Sequence, residues 1–222
     1  MMAGKLFVVE GLDGSGKGTQ AQKLCERLQK AGILCEKISF PEYEDPAAGA
    51  VCMYLRGDFG SDPGDVNAFA ASTFFAVDRF SGYKRKMKPI LDKGGVVICD
   101  RYTTSNAIHQ MAKLPRDQWE SFLDWLYDFE FCKLGLPRPN EVIYLSMDVA
   151  VSQKLIAERC KDKQITKDIH EANVAYLKCC KDAAEHCAKK LGWKVIQCSD
   201  KTAPFLIEDI ADQVFEVIQK GL

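Results

Sequence analysis

Residues 5–19 read Lys5-Leu6-Phe7-Val8-Val9-Glu10-Gly11-Leu12-Asp13-Gly14-Ser15-Gly16-Lys17-Gly18-Thr19. The run at 6–9 is apolar throughout and too short for a helix, which is typical of a strand buried on both faces of a parallel sheet. The residues that follow match the pattern G-x-x-x-x-G-K, and a helical pattern begins at Lys17. The glycines let successive backbone N–H groups face one anion, and the helix N-terminus adds its positive end. The stretch therefore predicts a phosphate-binding loop between a strand and a helix.

We expect the whole loop to contact the phosphates of ATP. The expected ATP-binding residues are Gly11, Leu12, Asp13, Gly14, Ser15, Gly16, Lys17, Gly18 and Thr19. Lys17 supplies a mobile positive charge for the β- and γ-phosphates. Gly18 stands where a Ser or Thr normally reaches Mg²⁺, and Thr19 comes one place later. We therefore expect the loop to contribute Thr19 at most, together with an acid from elsewhere.

The rest of the chain alternates short apolar runs with longer helical patterns. Further strands are predicted at 37–40, 96–99, 142–145 and 194–197, and helices at 17–31, 47–55, 66–93, 116–132, 149–160, 168–191 and 204–220. This alternation predicts an α/β fold with a doubly wound parallel sheet flanked by helices. The sequence shows no repeat, low-complexity stretch or linker, so we expect residues 1–222 to form one domain.

Composition excludes several classes of protein. Lys and Arg number 30 against 31 Asp and Glu, so nothing in the charge favours a nucleic-acid partner. No apolar run approaches the ~20 residues of a membrane helix, and the N-terminus lacks a signal-peptide pattern, so no membrane association is expected. The ten cysteines include no C-x-x-C pair. We interpret them as reduced thiols in a cytoplasmic protein.

The predicted helix at 66–93 carries a candidate base-binding pair. Phe75 and Arg79 are four residues apart and share one helical face. One side chain can stack on a base while the other reaches its edge with a planar set of donors. The alternative is a core Phe beside a solvated Arg.

Polar residues follow the predicted strand at 96–99. Asp100 stands where an acid holds Mg²⁺ or its water, and Arg101 is placed to bridge donor and acceptor phosphates. If a helix begins near residue 104, Asn106 and Gln110 share a face, as do Ser105 and His109. The amides of Asn106 and Gln110 can pair with a pyrimidine edge. The alternative is a capped helix start with solvated amides.

Five stretches together resemble the thymidylate kinase family. They are Gly11-Leu12-Asp13…Gly16-Lys17, Phe40-Pro41-x-Tyr43, Phe75-x-x-x-Arg79, Asp100-Arg101-Tyr102-x-x-Ser105-Asn106 and Gly135-Leu136-Pro137-Arg138-Pro139. They occur in the family's order, extend to about Asp168, and are most specific at Asp-Arg-Tyr-x-x-Ser. The resemblance implies that the chain transfers the γ-phosphate of ATP to dTMP, giving dTDP and ADP for dTTP synthesis. It also implies Mg²⁺, five parallel strands with a short lid, and a homodimer.

The resemblance also implies roles for individual residues. Substrate-binding residues would be Asp13, Phe40, Tyr43, Phe75, Arg79, Arg101, Ser105, Asn106 and Gln110, catalytic residues Asp13, Lys17, Arg101 and Arg159, and metal ligands Asp100 and Thr19. In this interpretation Phe75 stacks on thymine and Arg101 holds the acceptor phosphate. Asp13 contacts the sugar 3′-hydroxyl and the phosphoryl region.

Two positions depart from the family pattern. Some members carry an arginine in the phosphate loop, but Gly14 stands there, so the transition-state cation is expected from a lid at 159–171. Arg159 is the first candidate, with Lys163 and Lys167 in reserve, and the alternative is a solvated helix end. His109 stands where the family has an aromatic side chain near the sugar 2′ position, which weakens the inference of selectivity for deoxynucleotides.

Three other functions stay open at this point. The loop also resembles that of adenylate kinase, although the signature of that family after the third strand is absent. Another deoxynucleotide such as dUMP could be the main acceptor. A nucleotide sensor without catalysis would be expected to lack Lys17, Arg101 or Asp13, and all three are present.

Overall fold

Five parallel strands form the centre of the computed structural model, which describes residues 4–163, 169–219 and 221. The side chains of residues 159, 160, 162, 163, 171 and 172 lie outside that description. The strands are β1 (Lys5–Glu10), β2 (Cys35–Ser39), β3 (Val96–Asp100), β4 (Glu141–Ser146) and β5 (Lys194–Gln197). Their order across the sheet is β2-β3-β1-β4-β5. All five predicted strands and the α/β fold are thereby confirmed.

Helices cover both faces of the sheet. They are α1 (Lys17–Lys30), α2 (Gly49–Arg56), α3 (Ala68–Gly82), α4 (Lys88–Leu91), α5 (Thr103–His109), α6 (Trp119–Tyr127), α7 (Val149–Lys163), α8 (Ile169–Ala172), α9 (Val174–Leu191) and α10 (Ile207–Gln219). Two π-helical segments, Tyr83–Met87 and Asp128–Lys133, continue α3 and α6. Among the described helices, none combines the length and the apolarity needed to cross a membrane.

The helices differ from the sequence pattern at their ends. The helix predicted at 66–93 begins only at Ala68, because the side chain of Asn67 accepts a hydrogen bond from the N–H of Ala70 at 2.8 Å and caps it. Asn173 separates α8 from α9 and caps α9 in the same way, with the N–H of Tyr176 at 2.9 Å. The single helix predicted at 168–191 is therefore wrong at this point.

The apolar runs of the strands fill two cores. Alternate side chains of β1 point to opposite faces of the sheet. Leu6 and Val8 belong to the core under α5, α6 and α9, whereas Phe7 and Val9 belong to the core under α1 and α10. Burial on both faces explains why these runs are apolar throughout.

The sheet brings three loops to one edge. Val9 of β1 pairs with Asp100 of β3, and Ser39 of β2 pairs with the same residue from the other side. The phosphate loop, Phe40 and Arg101 thus leave the carboxyl ends of three neighbouring strands, where ligands of open α/β sheets bind.

Candidate active site

The phosphate loop has the backbone that its glycines predict. Gly14 and Gly16 have φ angles of 79° and 83°, in the left-handed region that glycine adopts readily. A Cβ atom on Gly14 would lie 2.6 Å from the carbonyl oxygen of Ser152 in α7, so this position also has no space for a side chain. Helix α1 begins at Lys17, directly after Gly16, and its free N–H groups face the loop.

Two cations meet the carboxylate of Asp13. Arg101 Nη2 lies 2.5 Å from Asp13 Oδ1, and Lys17 Nζ lies 3.1 Å from the same oxygen. Burial acts to raise the pKa of Asp13, but Arg101 and Lys17 outweigh it and hold that pKa well below its usual value. The carboxylate is therefore ionised at neutral pH, and one of its oxygens contacts both cations.

Arg101 is held by a buried acid that the sequence interpretation missed. Glu10, the last residue of β1, is fully buried and lies 3.6 Å from Arg101 Nη1. It accepts hydrogen bonds from the hydroxyl groups of Thr104 and Ser105 at 2.7 and 2.8 Å and from the N–H of Gly11 at 3.0 Å. Glu10 thus connects the phosphate loop to the start of α5. A charged residue that ends an otherwise apolar strand was the available signal.

His109 lies against Arg101. Its Nε2 atom is 3.2 Å from Arg101 Nη1. Arg101 Nη1 also donates a hydrogen bond to Ser105 Oγ at 3.4 Å. Ser105 and His109 therefore share one face of α5. The ring of His170 stacks on that of His109, with centroids 5.4 Å apart. Burial and the neighbouring guanidinium keep the pKa of His109 well below its usual value. Both imidazoles are neutral at pH 7, since burial also lowers the pKa of His170 to about 3.

Phe75 is half-buried and packs edge-on against Tyr54, with ring centroids 6.2 Å apart. The hydroxyl of Tyr54 lies 2.8 Å from His170 Nε2 and accepts a hydrogen bond from Lys113 Nζ at 2.8 Å. Burial lowers the pKa of Lys113 to about 7. The aromatic side of the site is therefore built from α2, α3 and α8 together.

Arg79 is buried, so the solvated Arg of the alternative interpretation is wrong. Its Nε and Nη2 atoms donate to the two oxygens of Glu130, the former at 2.7 Å. Glu130 also accepts hydrogen bonds from Thr103 Oγ1 at 2.6 Å and Asn106 Nδ2 at 3.0 Å. The expected base-binding residues Arg79 and Asn106 are thus connected through an acid that the sequence interpretation missed. Its position among apolar neighbours in the helical pattern at 116–132 was the available signal.

The two amides expected to face the base differ in their contacts. Asn106 Nδ2 donates to the carbonyl oxygen of Ser72 at 3.2 Å as well as to Glu130. Gln110 is fully buried, and neither atom of its amide has a hydrogen-bond partner among the described residues. A buried amide without partners is costly, which marks Gln110 as a group that a ligand can satisfy.

Asp100 lies beside the first turn of α1. A Cβ atom on Gly18 would be 3.0 Å from Asp100 Oδ2, and Ser39 Oγ donates to that oxygen at 3.4 Å. The other oxygen, Oδ1, is buried and lacks a hydrogen-bond partner within the described ranges. Thr19 is exposed on the same turn.

The remaining expected residues are Phe40 and Tyr43, which differ in exposure, and those of the lid. Phe40 is buried with its ring centroid 6.2 Å from that of Tyr102, whereas Tyr43 is exposed. Of the expected lid, Lys167 lies outside the described residues, and so do the side chains of Arg159 and Lys163. Two described residues of the expected lid reach the aromatic side of the site, Ile169 by packing in the cluster of Tyr54 and Phe75 and His170 by its contact with the Tyr54 hydroxyl.

Comparison with known proteins gives matches to thymidylate kinases. A family model described as thymidylate kinase matches residues 9–205. The thymidylate kinase of Mycobacterium tuberculosis is 34% identical over 159 residues, which are 71% of this chain and 71% of the relative. The human thymidylate kinase is 32% identical over 155 residues, or 68% of this chain and 65% of the relative. The solved structure of thymidylate kinase from Candida albicans, at 22% identity, has a TM-score of 0.70 and covers 98% of this chain and 92% of that one, which supports the fold.

Proposed function

The chain belongs to the thymidylate kinase family, and from this membership we propose which of its residues carry out the reaction. It is an ATP-dependent nucleoside monophosphate kinase that transfers the γ-phosphate of ATP to dTMP, giving dTDP and ADP. ATP is the phosphate donor, and dTMP and ATP are its small-molecule substrates.

The assignment of catalytic roles rests on the contacts that Arg101 and Lys17 make with Asp13. Phosphoryl transfer requires alignment of the two substrates and positive charge on the equatorial oxygens, not a covalent group from the protein. Lys17 and the loop amides bind the β- and γ-phosphates of ATP, and Arg101 holds the phosphate of dTMP. Asp13 holds both cations through its Oδ1 atom, and it contacts the sugar 3′-hydroxyl and the phosphoryl region. Arg159 supplies the remaining transition-state charge from the lid.

The acceptor base binds between α3 and α5. Phe75 stacks on thymine, and its edge contact with Tyr54 fixes the plane of the ring. Arg79, Asn106 and Gln110 contact the polar atoms of the base. The unpartnered amide of Gln110 supports this role most directly. Phe40, Tyr43 and Ser105 complete the acceptor side, Ser105 through its hydrogen bond with Arg101.

Mg²⁺ is the second cofactor of the proposal. A buried carboxylate oxygen without a partner, next to the phosphate loop, fits a hard cation that prefers oxygen ligands, and Asp100 Oδ1 is such an atom. Asp100 would hold the ion or its water, and Thr19 would offer the hydroxyl of the first turn of α1. When bound, Mg²⁺ neutralises charge on the β- and γ-phosphates. Asp100→Asn should raise the Mg²⁺ concentration needed for half-maximal rate, and an unchanged requirement would remove Asp100 from the metal site.

We further propose a homodimer formed through α3 and α6. Phe69, Val77 and Phe80 are exposed on α3, and the ring of Phe69 lies 4.7 Å from that of Trp125 on α6. An apolar face of this kind is covered by the same face of a second copy in a twofold dimer. Val77→Glu should yield monomers in light scattering, whereas Val174→Glu, at an exposed position on α9, should not. A dimeric Val77→Glu variant would contradict this interface.

The proposal also covers the domain organisation and the cellular location of the chain. We treat residues 1–222 as one kinase domain, because the five strands form one sheet. We place the chain in the cytoplasm, because nine of its cysteines lie in the described structure as free thiols. Thiol titration of the protein from intact cells, with and without reductant, tests the redox state.

A coupled phosphorylation assay with ATP and Mg²⁺ tests the function. The acceptors are dTMP, dUMP, dGMP, AMP, CMP, UMP and GMP. The expected result is a clear preference for dTMP, with ATP consumed only when a monophosphate is present. A preference for another acceptor would agree with kinase activity but would contradict the roles proposed for the residues that contact the base. Hydrolysis of ATP that no acceptor stimulates would favour a nucleotide sensor.

A further inference from the structure

Glu130 is a buried acid at the centre of a hydrogen-bond network beside the acceptor site. It lies in the π-helical segment Asp128–Lys133 and is fully buried. Its two oxygens accept from three side chains, those of Arg79, Thr103 and Asn106. Such partners are needed, because an uncompensated charge away from water is costly. Two of them are the residues to which we assign contacts with the base.

The contact with Glu130 determines which side of the Arg79 guanidinium remains available. The Nε and Nη2 atoms form a two-pronged contact with the carboxylate. No hydrogen bond from Nη1 is present in the described parts of the chain. A guanidinium has donors and no acceptor. Arg79 therefore offers a ligand only N–H donors, from a group whose rotation Glu130 prevents.

The same carboxylate determines the orientation of the Asn106 amide. One end of this amide faces the carbonyl oxygen of Ser72 and Glu130 Oε1, at 3.2 and 3.0 Å. Both are acceptors, so this end must be the NH₂ group. The oxygen Oδ1 is thereby directed to the other end, and no described residue donates to it. Asn106 thus offers a ligand an acceptor.

We propose that Glu130 is a positioning residue that sets the hydrogen-bond polarity of base recognition, by fixing a donor on Arg79 and an acceptor on Asn106. The inference rests on the base contacts proposed above for these two residues. Thymine presents a 4-oxo acceptor next to an N3–H donor, which matches this pair. Cytosine presents a 4-amino donor next to an N3 acceptor, which opposes it at both positions. A site built for one polarity leaves buried groups unpaired with the other, which discriminates strongly.

The Glu130→Gln variant tests the proposal. A Gln amide accepts at one end only, so it must lose either the contact with Arg79 Nε or the contacts that Arg79 Nη2 and Asn106 share at Oε1. The two-pronged hold on Arg79 or the hold on Asn106 is therefore lost while the side-chain volume stays the same. The measurement is kcat/KM for dTMP and for dCMP, together with KM for ATP. We expect the dTMP-to-dCMP ratio to fall at least 10-fold, mainly through a higher KM for dTMP, with KM for ATP within about twofold. Asp128→Asn, an exposed acid in the same segment, is the matched control and should leave the ratio unchanged.

Equal loss on both substrates, with the ratio unchanged, would overturn the proposal and leave Glu130 a purely structural residue. If Glu130→Gln shows no cooperative unfolding, Glu130→Asp keeps the charge and shortens its reach, and the ratio should fall at least about threefold. A further test needs no variant of Glu130. The wild-type protein should bind 3-methyl-dTMP at least about 10-fold more weakly than dTMP, and equal binding would contradict an acceptor on Asn106.

These outcomes separate the inference from the proposal on which it rests. A wild-type protein that does not phosphorylate dTMP would overturn the function itself. An active wild type whose ratio is unchanged by Arg79→Gln would remove the base contact of Arg79. If both tests succeed and Glu130→Gln keeps the wild-type ratio, only the positioning role of Glu130 is wrong.

Discussion

Arg101 Nη2 lies 2.5 Å from Asp13 Oδ1, although the two residues are 88 positions apart in the chain. The contact joins the loop after β1 to the residue directly after β3. Arg101 reaches it from a left-handed backbone conformation, with φ 69°, which a residue other than glycine adopts only where its surroundings hold it there. Here the surroundings are the carboxylates of Asp13 and Glu10.

Arg101→Ala should lower kcat by about 1,000-fold while ATP affinity stays within a few-fold of wild type. The reason is that, in the function proposed above, Arg101 holds the phosphate of dTMP during transfer, and cations that act on the reacting phosphates contribute on the order of 10³ or more in rate. Steady-state kinetics and titration calorimetry with ATP provide the two readouts. Arg85→Ala, which removes an exposed arginine paired with Asp45, is the control and should retain wild-type kinetics. Parallel loss of ATP binding would mean that Arg101 is structural.

Phe75→Ala should raise KM for dTMP about 10- to 100-fold and leave kcat nearly unchanged. Stacking of a base on an aromatic ring contributes about 1–3 kcal/mol, and it acts on the bound substrate before and during transfer alike. Phe74→Ala is the matched control, because Phe74 directly precedes Phe75 on α3 and packs on Tyr54 and Phe59. A lower kcat with unchanged KM would contradict stacking, and equal effects of the two variants would indicate packing alone.

Local patterns were sufficient to predict the elements that build the site. The apolar run at 6–9 and the glycines after it specify a strand and a loop by their own chemistry, and both are present as expected. The spacing of Ser105 and His109 predicts a shared face once a helix forms, and both contact Arg101.

The network around Glu130 could not be predicted in the same way. A buried charge needs a partner, but sequence spacing does not identify one that lies 51 residues away. The π-helical segment at Asp128–Lys133 shifts the register of α6 where Glu130 faces Arg79. The family resemblance therefore assigned Arg79 and Asn106 to the base without identifying the acid that holds both.

Gly14→Ala should weaken ATP binding more than Gly16→Ala. Both positions have φ near 80°, so both variants carry a similar conformational cost of about 1 kcal/mol. Only at Gly14 does the new methyl group meet a backbone carbonyl, that of Ser152, and nothing lies within 4 Å of a Cβ on Gly16. Titration of ATP against the two variants isolates this contact. Equal losses would show that conformation alone explains the glycine at position 14.

Lys113 should make the free energy of unfolding rise with pH above neutrality. Its Nζ atom donates to the Tyr54 hydroxyl at 2.8 Å and to the Val66 carbonyl at 3.1 Å, and burial lowers its pKa to about 7. An unfolded lysine keeps its proton to about pH 10.4. Between these values the unfolded chain binds more protons, so stability increases with pH in this window. Urea midpoints at pH 6.5 and 8.5 should rise less in Lys113→Met than in wild type, whereas Lys30→Met, at an exposed position, should keep the wild-type difference. A full rise in Lys113→Met would show that another group causes it.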